Sequence, residues 1–217
     1  MTPNLHRMLL LAALAAAPAL PATVIAEPAA IRGADAPRPT DSADGLSAQD
    51  RDVLAAAEQL AAQASQTLEQ WITMQATTED RLFARLYFPI ASTDPQKYSS
   101  TYDALADRDL VKFEDIGLAH APALQYAIVT DSNAYVPAHN SRFTQPLSGV
   151  VAQDYINNRT KRILGDLASI TAARSEARYL IQRIKLETGD VIYDISVPVT
   201  VRGKHWGCAR IGYSRTE

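Results

Sequence analysis

Arg159 and Arg162, three residues apart, are the sharpest chemical feature of this 217-residue chain. In a helix that spacing puts both guanidiniums on one face, where together they can clamp a carboxylate or phosphate through bidentate hydrogen bonds. Asp154, Asp166 and Glu176 are close enough in sequence to pair with them instead. Anion site and structural ion pair both stay open, since either arrangement gathers such residues. His139-Asn140 suits a chain cap and turn, because Asn tolerates the left-handed backbone. A metal site needs converging ligands, and beyond residue 26 the only histidines are His120, His139 and His205, with no paired spacing. Haem held axially by His139 or His205 is a minor alternative, without a Cys-x-x-Cys-His attachment sequence. No other cofactor is indicated.

Catalytic signatures are missing. There is no Gly-x-Ser-x-Gly elbow, no His-Glu-x-x-His and no Gly-rich phosphate loop. Glu187, Asp190 and Asp194 surround a hairpin turn and suit turn formation better than acid–base work. Cys208 is the lone cysteine and has no internal disulfide partner; it reads as a half-buried inert thiol, or, if exposed, as an intermolecular disulfide. Trp206 reads as a core or interface aromatic rather than a ligand platform. Gly207 and Gly212 read as points of close backbone approach or a bulge. The Asn158-Arg159-Thr160 glycosylation pattern matters only in a eukaryotic secretory route. This is the chemistry of a binder, not an enzyme.

The elements that must position these residues begin after a leader. Arg7 closes a basic start, Met8–Leu14 is apolar, and Val24-Ile25-Ala26 carries the small residue at a signal-peptidase cut. Pro18 and Pro21 break what would otherwise approach a membrane span. The expected product is a periplasmic protein cleaved after Ala26; an inner-membrane anchor formed by residues 8–26 is the alternative. Losing Arg7 with the leader leaves 20 basic against 24 acidic residues, a net −4. That weak acidity excludes a nucleic-acid surface, which needs a dense basic patch.

Residues 27–46, poor in large apolar side chains, are expected to be a flexible tether. Ser47-Ala48-Gln49-Asp50 is a capping box opening a helix predicted over 47–86. Leu54, Ala57, Ala61, Ala64, Leu68, Trp71, Gln75, Thr78 and Leu82 recur there at steps of three and four. This stripe suits either packing on the chain's own domain or a homodimer through residues 47–86. From 87 to 120 a connection contains a Thr93-Asp94-Pro95 turn and a short helical stretch around Tyr98–Leu105. Strands are then predicted at Leu124–Thr130 and Tyr135–His139, and a helix over 151–175 with Ile156, Ile163, Leu164 and Leu167 inward. Strands follow at Tyr179–Leu186, Val191–Val201 and His205–Tyr213, with Trp206, Cys208 and Arg210 on one face. The fold class this implies is α+β: a long N-terminal helix followed, over residues 87–217, by a five-stranded antiparallel sheet with helices on one face.

The motifs Tyr135-x-x-x-His139-Asn140, Asn158-Arg159-Thr160-Lys161-Arg162-Ile163 with Asp166, Gly203-Lys204-His205-Trp206-Gly207 and Arg210-Ile211-Gly212-Tyr213 occur in that order. Together they resemble the PAS/Cache-like sensory module found at the C-terminal end of bacterial methyl-accepting chemotaxis proteins. The likeness spans roughly residues 80–217 and is most specific in its last third. Lys204 departs from the Arg usual before His-Trp-Gly, and the methyl-accepting coiled coil has no counterpart in this sequence, so only the sensing module carries over. The resemblance implies a ligand site between the sheet and the helix after the second strand. His139, Asn140 and Arg142 would flank one side and Asn158, Arg159 and Arg162 the other, with Tyr135, Arg210 and Tyr213 in the wall. The arginine pair, not the resemblance, makes a small anion the expected ligand; the expected partner is a membrane receptor or histidine kinase. The competing expectation is a structural or protein-interaction module whose pocket is filled by its own side chains.

Overall fold

The structure, a computed structural model, describes residues 38–40, 45–185 and 190–215. The expected leader at residues 1–26, its cut after Ala26, most of the 27–46 tether and the 186–189 turn lie outside them. Among the described residues no helix is long and apolar enough to cross a membrane.

The described chain is α+β. A short strand, β1 (Arg38–Thr40), precedes α1 (Ala48–Thr73). The capping box forms as its sequence predicts. Ser47 Oγ accepts the Asp50 amide at 3.0 Å, and the Asp50 carboxylate accepts the Ser47 amide at 3.2 Å. The stripe Leu54, Ala57, Ala61, Ala64, Leu68 and Trp71 is buried in one core with the sheet, so the seam available for a dimer is covered by the chain itself. The helix stops well short of residue 86. Trp71 is pinned by an indole bond to Asp109 at 2.6 Å, the Ala76 and Thr77 amides fold back onto its carbonyl, and Gln75 turns left-handed at φ 58°. Thr78 then caps a separate α2 (Glu79–Phe83).

A hairpin, β2 (Phe88–Ile90) with β3 (Lys97–Ser99), leads to α3 (Asp103–Asp109) and α4 (Val111–Ala119), where the sequence suggested only one short helical stretch. The main sheet is antiparallel, ordered β5 (Tyr179–Lys185), β6 (Val191–Val201), β7 (Lys204–Tyr213) and β4 (Leu124–Asp131), with β1 extending the β5 edge. Four predicted strands therefore share a sheet, and its extra edge strand comes from the segment expected to be a tether. The predicted second strand, Tyr135–His139, does not join them; its one bridge is Tyr135 to Ile163. Asp131 explains the departure. Its carboxylate takes the amides of Asn133 and Tyr135 at 2.9 and 3.1 Å, curling the chain away from the ladder. Val136 then trades backbone bonds with Arg162 and Lys161, and Pro137 has no amide to offer.

That pairing also splits the helix predicted over 151–175. It becomes α5 (Val151–Asn157) and α6 (Leu167–Arg174), the second capped by Asp166, whose Oδ1 accepts the Ser169 amide at 2.9 Å. Lys161 between them is left-handed at φ 63°. Ile163 and Leu164 are partly buried, but Ile156 and Leu167, expected inside, are 54 % and 75 % exposed.

Helices cover both faces of the sheet, where one was expected. α1 and α4 lie over the face carrying Ala127, Val129, Ile195, Ala209 and Ile211. α6 packs on the other, near Cys208, Ile184 and Ile192. A bulge in β7 adjusts the faces: Val199 opposes Gly207 and Thr200 opposes His205, leaving Trp206 as an extra residue. Trp206 accordingly joins the α1-side core, edge-on to Tyr102, and does not share a face with Cys208 and Arg210. The close approach expected at Gly207 is real, since a Cβ there would lie 1.9 Å from the Thr130 carbonyl oxygen. At the β6–β7 turn Arg202 and Gly203 have φ 50° and 75°, the two left-handed residues of a type I′ hairpin.

Candidate functional site

The curl after β4 brings Phe143 inward on a 3-10 turn (Ser141–Phe143), and basic side chains collect on its ring. Arg159 Cζ lies 4.2 Å and Arg142 Cζ 5.1 Å from the ring centroid. His139 meets the same ring edge-on at 5.1 Å. Arg159 donates Nε to the Ile156 carbonyl, and no hydrogen bond from its terminal nitrogens or from Arg142 is formed among the described residues. The predicted clamp thus changes membership: Arg142 and Arg159 share Phe143. Arg162 does other work. Its Nη2 bonds the carbonyls of Asp154, Tyr155 and Asn158 at 3.2, 3.0 and 2.9 Å, neutralising the negative end of α5. The two arginines do not share a helix face, because residues 158–166 are not helical.

Lys97, not among the residues expected at the site, adjoins the cluster. Its buried ammonium donates to Asn158 Oδ1 and to the Thr160 carbonyl at 2.5 Å, both neutral acceptors. Burial, then Arg162 and Lys161 nearby, lower its pKa to about 8. No sequence pattern marked it, because it arrives from β3 across a gap of 61 residues. Burial, with Arg159, Arg162 and Lys97 adding repulsion, drives His139 down to about 3 and keeps its imidazole neutral. Among the described residues no carboxylate lies within ion-pair distance of Lys97, Arg142, Arg159 or Arg162. Asp154, the nearest in sequence, is held by the amides of Ser148 and Gly149 and by the Ser148 hydroxyl. Asp166 caps α6. Buried polar atoms with no partner accumulate here: His139 Nδ1, Thr160 Oγ1 and Arg162 Nε.

The remaining expected site residues are committed elsewhere. Arg210, 2 % exposed, pairs with Asp194 at 3.0 Å and donates to Ser169 Oγ at 2.8 Å, fastening α6 to the sheet; Tyr126 donates to the same Asp194. Tyr213 donates to Asp50 at 2.6 Å, and Arg215 binds that carboxylate too, joining the start of α1 to the end of β7. Tyr135 donates to Asp103 at 2.8 Å. Asn140 is a splice: its Oδ1 accepts the Ala127 amide and its Nδ2 donates to the Glu114 carbonyl. These four hold the fold together. Cys208 is wholly buried rather than half-buried, and burial raises its thiol to about 12.

No model of a known protein family, no curated protein and no solved structure matches this chain. The chemistry of the site therefore rests on its geometry. Two guanidiniums within 4.2 and 5.1 Å of one aromatic ring, near a buried ammonium, have the hydrogen-bond donors that an oxyanion could accept. Among the described residues no group of His, Cys, Asp and Glu could hold a metal ion. The hollow between α1 and α4, lined by Leu60, Phe113, Gly117 and His120, encloses about 20 Å³, room for one water rather than a metabolite.

Proposed function

We propose that the chain is a non-enzymatic sensory module of the PAS/Cache kind, exported to the periplasm, that takes a small anion on Arg142 and Arg159 and passes its state to a membrane receptor or histidine kinase. The observation that carries the reading is the uncompensated charge. Arg142, Arg159 and Lys97 have no carboxylate within ion-pair distance among the described residues, next to the unpartnered His139 Nδ1 and Thr160 Oγ1. Folding would ordinarily pair such charges, and an anionic ligand completes the set. Of the strand order behind the sensory resemblance, the antiparallel sheet holds four strands, and Tyr135–His139 lies outside it.

A thermal-shift panel of small carboxylates and phosphate tests it. A stabilising anion should lose its effect in Arg159→Ala and in Arg142→Ala, both of which should still fold. A panel without any shift would overturn the reading.

A further inference from the structure

The segment bearing these guanidiniums also has an apolar surface left exposed among the described residues. Leu147, Val150, Val151, Tyr155 and Ile156 are 45–54 % exposed, five large apolar side chains within ten residues. The other exposed large hydrophobics, such as Met74 and Ile116, are scattered along the chain. Val151 and Tyr155 are one turn apart on α5, whose one buried residue is Asp154, already occupied by Ser148 and Gly149. The arginines border this strip directly. Arg162 Cζ lies 4.8 Å over the Tyr155 ring, and Arg159 is bonded to the Ile156 carbonyl at 2.9 Å. Residues 141–162 hold four basic side chains and one acid in a chain whose net charge is −3.

An apolar strip edged by guanidiniums matches the boundary of an anionic bilayer, where apolar side chains enter the acyl region and arginines reach the phosphates. A second copy is a poorer occupant. Two-fold pairing of this strip would set the Arg142–Arg159 cluster of each chain near its mate with no carboxylate between them. We infer that residues 146–162 dock the protein on an anionic membrane surface, with Val151, Tyr155 and Ile156 inserted and Arg142 and Arg159 on headgroup phosphates. The inference rests on the reading of these arginines as an anion site and names the source of the anion.

The test places an environment-sensitive fluorophore on α5 through Ala152→Cys in the full chain with Cys208→Ser, Cys208 being the lone native cysteine. Vesicles with about 30 % phosphatidylglycerol in phosphatidylcholine should shift the label to the blue, and pure phosphatidylcholine should not. Because the label reports insertion locally, binding through residues 8–26 does not imitate it. Arg159→Ala should weaken the transition about fivefold, and Val151→Ser with Ile156→Ser should weaken it about tenfold or more. A label that stays in water on phosphatidylglycerol vesicles overturns the inference. So does a blue shift that appears without vesicles and rises with protein concentration, since that marks self-association. Soluble glycerol phosphate separates the two proposals. Thermal stabilisation by it without vesicle insertion removes the docking and leaves the anion site; no response to either removes both.

Discussion

Glu114 offers the most quantitative test of the fold. It is 0 % exposed; one carboxyl oxygen accepts the Val129 amide at 3.0 Å, and the other has no partner. Burial, only partly offset by the Val129 bond, raises its pKa from 4.5 to about 8. The folded state therefore holds a proton that the unfolded chain releases. Stability is complete below pH 4.5 and is lost as pH rises to about 8. At about 1.36 kcal/mol per unit, roughly 3 kcal/mol is forfeited by pH 7 and about 5 kcal/mol by the plateau. Glu114→Gln keeps the shape and the acceptor for Val129 but has no proton to lose. It leaves an unpaired amide donor instead, at a pH-independent cost of about 1–3 kcal/mol. The variant should be equal to or less stable than the parent at pH 4.5. Its relative stability should then climb by about 3 kcal/mol at pH 7, roughly 6–12 °C in Tm for a chain of this size. Thermal and urea unfolding of both proteins from pH 4.5 to 9 would show it. A difference in Tm between variant and parent that stays constant across that range refutes the reasoning.

Three further outcomes follow from the packing. Gly207→Ala would drive its Cβ to 1.9 Å from the Thr130 carbonyl oxygen; as backbone cannot yield like a side-chain tip, a loss of about 3 kcal/mol or more is expected in urea unfolding. Arg210→Met leaves Asp194 buried without its cation and should cost about 3–5 kcal/mol, and adding Asp194→Leu should recover much of it, read as a double-mutant cycle. Cys208, buried with its thiol pKa near 12, should stay unreactive toward a disulfide reagent at pH 8 until the protein is unfolded.

The sequence was most legible where local chemistry decides structure. Ser47 and Asp50 announce the start of α1, and Arg202-Gly203 announces the last hairpin; neither depends on a distant partner. Four strands were visible because their apolar runs must be buried whatever lies beside them. The failures came where a distant or side-chain partner overrides the pattern. Tyr135–His139 has the composition of a strand, but the Asp131 carboxylate takes the Tyr135 amide and the Arg162 carbonyl takes that of Val136. Residues 158–166 continue a helical pattern, but the carbonyls of Phe143, Val136 and Ala134 take the amides of Arg159, Lys161 and Leu164. The arginine pair was seen while its geometry was not, since a spacing of three has meaning only inside a helix. Lys97 could not be found from sequence, because a lone lysine in a hairpin acquires its role only when the chain closes on Asn158.

The fold treats its buried polar groups in two ways. Asp50 is held by Ser47, Tyr213 and Arg215; Asp131 by Tyr87, Tyr102 and two amides; Asp194 by Arg210 and Tyr126. Each is satisfied on several sides, and each ties together segments far apart in sequence. Around the loop after β4 the treatment reverses. Among the described residues, seven buried side-chain atoms lack partners. Four of them, on Glu114, His139, Thr160 and Arg162, belong to that loop or to the helix that Asn140 splices to it. A chain able to complete three carboxylate hubs elsewhere is not short of hydrogen-bonding residues. Incompleteness concentrated in one place, beside guanidiniums without counter-ions, is the observation on which the proposed anion site stands, and Arg142→Ala and Arg159→Ala are the variants that test it.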